Sequence, residues 1–266
     1  MTAWPLLRTP RRLSPAPPRW PFTINRDSPL SKGLVSLVTR IDGRTIEISR
    51  SRPLTIESGT PAQSTYRNRL SDAPSSALYL GRSTPEMASP TTPFSVTAWI
   101  AGPNVWTASG IMLINTRSGS NKGWSVARVA VSGNQTLMRF TIHNVADYNS
   151  TAYGPQHQAG WQPVSWVWNG NSTTVEFWWN GAQLGSAVAT GAMSAGGINT
   201  IRYLAGPWDG VAHSMAVYSR ALSVAERQLQ ARNEFELYYE LGRRQFYFVS
   251  AAAPVAAPSS SFMTIN

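Results

Sequence analysis

The stretch WDGVAHSMAVYSRALSVAE, residues 208–226, passes from one kind of secondary structure to another. Residues 210–218 are small or apolar and finish on Tyr218, which fits a strand buried in a sheet. Ser223 followed by Glu226 is a capping box, in which two side chains satisfy the free N–H groups at the start of a helix. Leu222, Ala225 and Leu229 then fall at helical spacing. A helix is therefore predicted from Ser223 to about Asn233, with a further turn or two through Glu234 to Leu241.

Upstream, runs rich in Val, Ile, Thr, Trp and Phe alternate with turn residues from about residue 77. Strands are predicted at 77–81, 94–101, 111–117, 123–132, 136–143, 163–169, 173–180, 183–188, 199–205 and 210–218. Val175, Phe177 and Trp179 share one face of such a strand, and Thr174, Glu176 and Trp178 the other. Asn180-Gly181 supplies the two positive-φ positions of a type I′ turn, so residues 173–188 read as a hairpin. Residues 34–57 add two or three weaker strands, 58–76 reads as a long loop, and 245–249 as a last strand. Many antiparallel strands with one late helix make an all-β, two-sheet jelly-roll sandwich, with extended arms at both ends. The divisions are a basic Pro/Arg-rich arm over 1–33, the sandwich over 34–233, and an extension with an Ala/Pro-rich tail over 234–266.

Composition narrows the function classes. Of 266 residues, 14% are charged and 11% aromatic, too apolar and too weakly charged for a disordered chain. The absence of cysteine removes disulfides, thiolate metal sites and cysteine nucleophiles, and three histidines leave little imidazole chemistry. No run reaches the roughly 18 apolar residues of a membrane helix. Prolines at 5, 10, 15, 17, 18 and 21 stand where a signal peptide needs an apolar helix, and direct residues 1–22 into extended chain. The net charge is +10, and residues 1–70 hold most of it: eleven arginines and Lys32 against Asp27, Asp42, Glu47 and Glu57. A basic arm on a near-neutral body points to an acidic partner.

The order of residues 161–229 resembles the LamG-like jelly roll of the concanavalin A-like lectin/glucanase superfamily. Gly210, Val217, Tyr218, Arg220, Ala221, Leu222, Ser223 and Glu226 fit its strand-to-helix run, and FSVTAWI at 94–100 fits its first core strand. The resemblance covers about 77–229 and implies a fold that serves lectins, hydrolases, adhesion modules and structural proteins alike. The lead-in Asn25-Arg26-Asp27-Ser28-Pro29-Leu30 with Lys32-Gly33-Leu34-Val35, and the basic-aromatic run 243–250, resemble members encoded by tailed bacteriophages.

The chemistry of such a fold was sought residue by residue. Paired-carboxylate hydrolysis needs two carboxyl groups about 5 Å apart in the retaining case. Glu176 is the only glutamate in the predicted strands of the body and has no acidic neighbour within ten residues. His143 and Asp147 lie near each other, but no Gly-x-Ser-x-Gly nucleophile turn accompanies them. Calcium needs about six oxygen ligands, and the resemblance would place acidic residues where this chain has His213 and Ser214. Asp147 and Asp209 remain as isolated aspartates. No catalytic, cofactor-binding or metal-ligating residue is assigned. Of the eleven tryptophans, Trp99, Trp166 or Trp168, and Trp179 are predicted core. Trp106, Trp124, Trp161, Trp178 and Trp208 are left between packing and sugar stacking.

The expectation is a non-enzymatic structural protein of a phage virion, as a head decoration or cement protein. Its docking residues are Trp4, Arg8, Arg11, Arg12, Arg19 and Trp20 in the arm, and Arg243 and Arg244 in the extension. Its partners would be the major capsid protein or other virion proteins, with further copies of itself in the assembly. The alternative is a carbohydrate-binding adhesin or tail component that recognises a host-surface glycan. DNA contact by the arm is admitted by charge but not favoured, and no membrane contact is expected.

Overall fold

The structure is a computed structural model and describes residues 22–41, 44–47, 52–53, 55–58, 70–71, 79–83, 91–101, 111–116, 123–131, 135–154, 161–193, 200–203, 211–234 and 236–240. In chain order the strands are β1 (Phe22–Ile24), β2 (Leu34–Ile41), β3 (Arg44–Glu47), β4 (Arg52–Pro53), β5 (Thr55–Ser58), β6 (Leu70–Ser71), β7 (Tyr79–Ser83), β8 (Phe94–Ala101), β9 (Ile111–Asn115) and β10 (Trp124–Val131). They continue with β11 (Gln135–Ile142), β12 (Ala146–Asn149), β13 (Gln162–Trp168), β14 (Thr174–Trp179), β15 (Ala182–Gln183), β16 (Val188–Ala189), β17 (Thr200–Tyr203), β18 (Val211–Tyr218) and β19 (Tyr238–Glu240). The one α-helix among the described residues, α1, spans Val224–Arg232.

Two antiparallel sheets face each other. One has the order β12-β11-β10-β9-β17-β7-β5, the other β15-β14-β13-β8-β18-β2-β3-β4, with β16 pairing β14 and β6 pairing β18. The predicted alternation in β14 is realised. Val175, Phe177 and Trp179 enter the core between the sheets, while Glu176 and Trp178 face outward. Asn180 and Gly181 both take positive φ, 51° and 75°, as the predicted turn requires. The centre of the core is aromatic. Phe94 stacks on Trp124 at 4.4 Å, and its ring centroid lies 5.3 Å from that of Trp168 and 6.0 Å from that of Phe140. Two of these rings come from each sheet, so the stack joins the layers.

A third layer lies on the outer face of the larger sheet. Helix α1, the 3-10 turn Pro29–Ser31 and the two-stranded ribbon β1-β19 cover it, burying Ile24, Leu30, Leu222, Leu237 and Tyr238 against Leu37, Ala216 and Tyr218. The sequence assigns Phe22–Ile24 to the arm and Tyr238–Glu240 to the extension, yet they pair with each other on the body. The predicted continuation of the helix through Glu234 to Leu241 is corrected. Asn233 caps α1 in extended conformation, and β19 follows because Tyr238 finds Ile24 as its partner. Strand β6 also breaks what was read as a continuous loop. The predicted strand at 245–249 lies outside the described residues.

Strand β18 has a feature of its own. Its register against β8 slips by one residue between His213 and Ala216, where Ser214 takes φ 49°. Beyond this bulge Met215 and Val217 point into the inner core, and Ala216 and Tyr218 into the outer layer.

Candidate functional site

The predicted docking residues Trp4, Arg8, Arg11, Arg12, Arg19, Trp20, Arg243 and Arg244 all lie outside the described residues, before Phe22 or after Glu240. What is fixed is where those segments join the fold. Phe22 is the Cα partner of Glu240, so the two segments depart side by side. The ribbon is tied to the body by backbone and side chain. Asn25 N donates to the Leu237 carbonyl at 2.9 Å, Asn25 Nδ2 donates to the Glu236 carbonyl at 3.1 Å, and the Ser214 and Tyr238 hydroxyls share a hydrogen bond of 2.7 Å.

Arg220 holds the lead-in that precedes β2. Its Nε donates to the Lys32 carbonyl at 2.8 Å and Nη2 to the Pro29 carbonyl at 3.0 Å, while the fork grips Glu226 at 2.7 and 2.8 Å. Gly33, at φ 67°, is needed here, since a Cβ would sit 3.0 Å from the Arg220 side chain. Glu226 also completes the capping box with Ser223, so one carboxylate serves the helix start and the clamp. The Arg220 hydrogen bond, with the Ser223 donors behind it, holds the Glu226 carboxyl down to about 2. The Arg220 guanidinium is raised in turn by the same contact.

Glu176 is likewise engaged. Arg227 of α1 reaches it at 2.7 Å, Trp178 Nε1 donates to it at 3.0 Å and Asn169 Nδ2 at 3.3 Å. The Arg227 guanidinium carbon sits 3.8 Å from the centroid of the Trp178 ring, a cation–π contact that seals the pair against solvent. Burial pulls the Arg227 pKa down, against the opposing pull of Glu176. This cluster pins α1 to β14. Asp147 gives its carboxylate to Arg139 at 2.8 Å and Thr141 at 2.7 Å. Among the described residues no three of His, Asp and Glu gather where they would hold a metal ion. Asp209 and the His213 side chain lie outside them.

The tryptophans left open resolve in part. Trp124 and Trp178 are buried, as are Trp166, Trp168 and Trp179, whereas Trp99 and Trp161 are half-buried. Trp106 and Trp208 lie outside the described residues. Trp99 flanks a cavity of about 10 Å³ under the Ser214 bulge, shared with Leu30, Gln230, Asn233 and Leu237, which is room for a single water.

The two ends of the sandwich differ. At one end lie the starts of β8 and β10, marked by the Phe94–Trp124 stack. At the other lie the ends of β8, β10, β12, β14 and β17, and the starts of β9, β11, β13, β15 and β18. The connections at this second end carry Trp106, Tyr153, Trp161 and Trp208 in sequence. Tyr153 is 51% exposed, the most exposed large apolar side chain among the described residues, and stands next to Gly154, which bridges to Thr136. Behind it the buried Arg128 lies with its guanidinium 5.2 Å from the Trp179 ring and donates to Thr136 Oγ1. Sequence reasoning did not single out Tyr153 or Arg128.

No curated protein sequence matches the chain. Among solved structures, domain 4 of AbnA, an extracellular arabinanase from Geobacillus stearothermophilus solved with arabinotriose, is similar with a TM-score of 0.58 and 15% identity, over 74% of this chain and 98% of that one. The binding domain of botulinum neurotoxin serotype G gives 0.54 and 14%, over 75% of this chain and 50% of that one. That of botulinum neurotoxin DC in complex with SialylT gives 0.52 and 10%, over 75% and 51%. The chain thus spans about half the length of the neurotoxin domains, and at such identities the likeness is one of fold. A family model described as the concanavalin A-like lectin/glucanases superfamily matches residues 74–226. With more than half its length inside that match, and with the two-sheet sandwich to accompany it, the chain belongs to the concanavalin A-like lectin/glucanases superfamily.

Proposed function

We propose that this chain is a non-enzymatic attachment-and-display protein: the jelly roll is the displayed body, and the segments before Phe22 and after Glu240 dock it on a larger assembly. The observation that carries it is the partition of charge. Residues 1–21 and 241–266 hold six arginines and no acidic residue. The body's carboxylates Glu176, Asp147 and Glu226 are each bound to an arginine rather than poised for chemistry. In its finer form the assembly is a tailed-phage virion, the chain a head decoration or cement protein, and the partner the major capsid protein, as the lead-in and tail resemblance implies. Arginine–carboxylate contacts across capsomer boundaries would raise the free energy of shell dissociation. Particles assembled with a chain lacking residues 1–21 should lose the protein or break at lower temperature; full occupancy and unchanged stability would sink the virion form.

A second reading is glycan recognition at the Tyr153 end. It is favoured by the exposed Tyr153 ring and by a superfamily in which an arabinanase domain was solved with arabinotriose and a neurotoxin binding domain with SialylT. Exposed aromatic faces suit sugar rings, and loops at the end of a rigid sandwich vary without disturbing the core. Binding of a host polysaccharide that Tyr153→Ala weakens by about tenfold or more would support it. A glycan array blank at high protein concentration would rule against it.

A further inference from the structure

We infer that the chain before Phe22 and the chain after Glu240 act as one two-armed anchor for an acidic protein surface. The inference deepens the docking half of the reading above. It does not depend on what the body displays.

The geometry begins with the register of the ribbon. Phe22 faces Glu240, Thr23 faces Tyr239 and Ile24 faces Tyr238. Facing Cα atoms in an antiparallel pair stand about 4.5–5.5 Å apart. Two segments that lie at opposite ends of the sequence therefore start from one spot on the body. That spot is rigid. Ile24 and Tyr238 are buried, and the Arg220 clamp fixes the lead-in a few residues beyond. Neither segment can drift to another face without breaking the outer layer.

The chemistry of the two segments matches as well. Both carry arginine without any acid: Arg8, Arg11, Arg12 and Arg19 in one, and Arg243 and Arg244 in the other. Both also carry large apolar side chains, with Trp4 and Trp20 before the ribbon and the run Phe246-Tyr247-Phe248 after it. Guanidinium forks fit carboxylates in pairs, and aromatic residues with arginine are what protein interfaces use as anchors. Phosphate backbone alone would need the charge but not this apolar content, so an acidic protein surface is favoured over DNA.

Common origin gives the anchor its strength. Once one arm is bound, the other is held at millimolar effective concentration, so joint binding exceeds that of either arm by about 10²-fold or more. Arms on opposite faces of the body would not gain this on one flat partner.

The test measures binding of four proteins, the full chain, one lacking residues 1–21, one lacking 241–266 and one lacking both, to immobilised poly-glutamate and to a short DNA duplex of equal charge. The full chain should bind poly-glutamate about tenfold or more tightly than either single deletion, and the double deletion should not bind. A single deletion within about twofold of the full chain would overturn the two-armed anchor, and tighter binding to the duplex would overturn the choice of partner. Thr23→Cys with Tyr239→Cys, in a chain that otherwise has no cysteine, checks the shared origin. The disulfide should form on oxidation and leave poly-glutamate affinity unchanged; a pair that stays reduced, or a locked protein that no longer binds, would overturn it. None of these readouts involves a particle or a glycan, so failure here leaves the virion and glycan tests standing on their own.

Discussion

The larger sheet is covered on both faces, and the two coverings are held by different means. On the inner face Phe94 and Trp168 meet Trp124 and Phe140 of the opposite sheet in a continuous aromatic stack. On the outer face a single helix and a short ribbon bring less apolar area, and the contacts that set their position are forks: Arg220 on Glu226 and two carbonyls, Arg227 on Glu176. Apolar contact is strong but has little direction. Charged forks add less free energy and fix geometry. The inner layer therefore supplies most of the stability, and the outer layer determines where the two ends of the fold come to rest.

Four substitutions or conditions would sharpen or break that contrast, from large to small. Trp124→Ala should destabilise by about 3–5 kcal/mol, read by urea unfolding, because it opens a cavity in the stack. Arg227→Ala should cost about 2 kcal/mol, since Glu176 keeps Trp178 and Asn169 as donors but loses its ion pair. If the second loss equals the first, the contrast between the layers fails. A double-mutant cycle of Arg227→Ala with Trp178→Ala should show coupling, which a purely surface ion pair would not.

Acid should act on the outer layer through Glu226. Its pKa is depressed in the fold, so its contribution is complete above the ordinary value of 4.5 and is lost as pH falls toward about 2. Hydrogen exchange at residues 25–34 should rise over that window, and Glu226→Gln should abolish the dependence. Exchange that rises equally in the inner strands would mean that the layers open together. Gly181→Ala should have the smallest effect, about 1 kcal/mol in thermal unfolding. It forces a positive φ on alanine and brings a Cβ to 3.1 Å from Ala231.

The sandwich was legible in the sequence because its cues are local: alternation in β14, the Asn180-Gly181 turn, the Ser223–Glu226 box. The outer layer was not, because its ribbon joins three-residue strands from opposite ends of the chain, too short to show a period. The same limit explains the misread helix extension, since the pull on Tyr238 comes from Ile24. Strand β12 also escaped notice. Ala146–Asn149 is exposed or half-buried throughout and carries no apolar face. Missing it shifted the count of strands by one, so the connections holding Tyr153, Trp161, Trp106 and Trp208 were not seen to belong to one end. The docking segments carry composition without period, and for them the sequence offered charge and the structure a point of departure.

The bulge in β18 makes residues 213–215 a counter. Because strand side chains alternate, each residue added or removed there exchanges inside for outside in everything that follows, as far as the helix. Deleting Ser214 would turn Met215 and Val217 toward α1 and push Ala216 and Tyr218 between the sheets. The same deletion within 102–110 changes only the length of a connection. A family of variants of this chain should therefore tolerate insertions freely at the Tyr153 end and hold the spacing from His213 to Arg220 fixed.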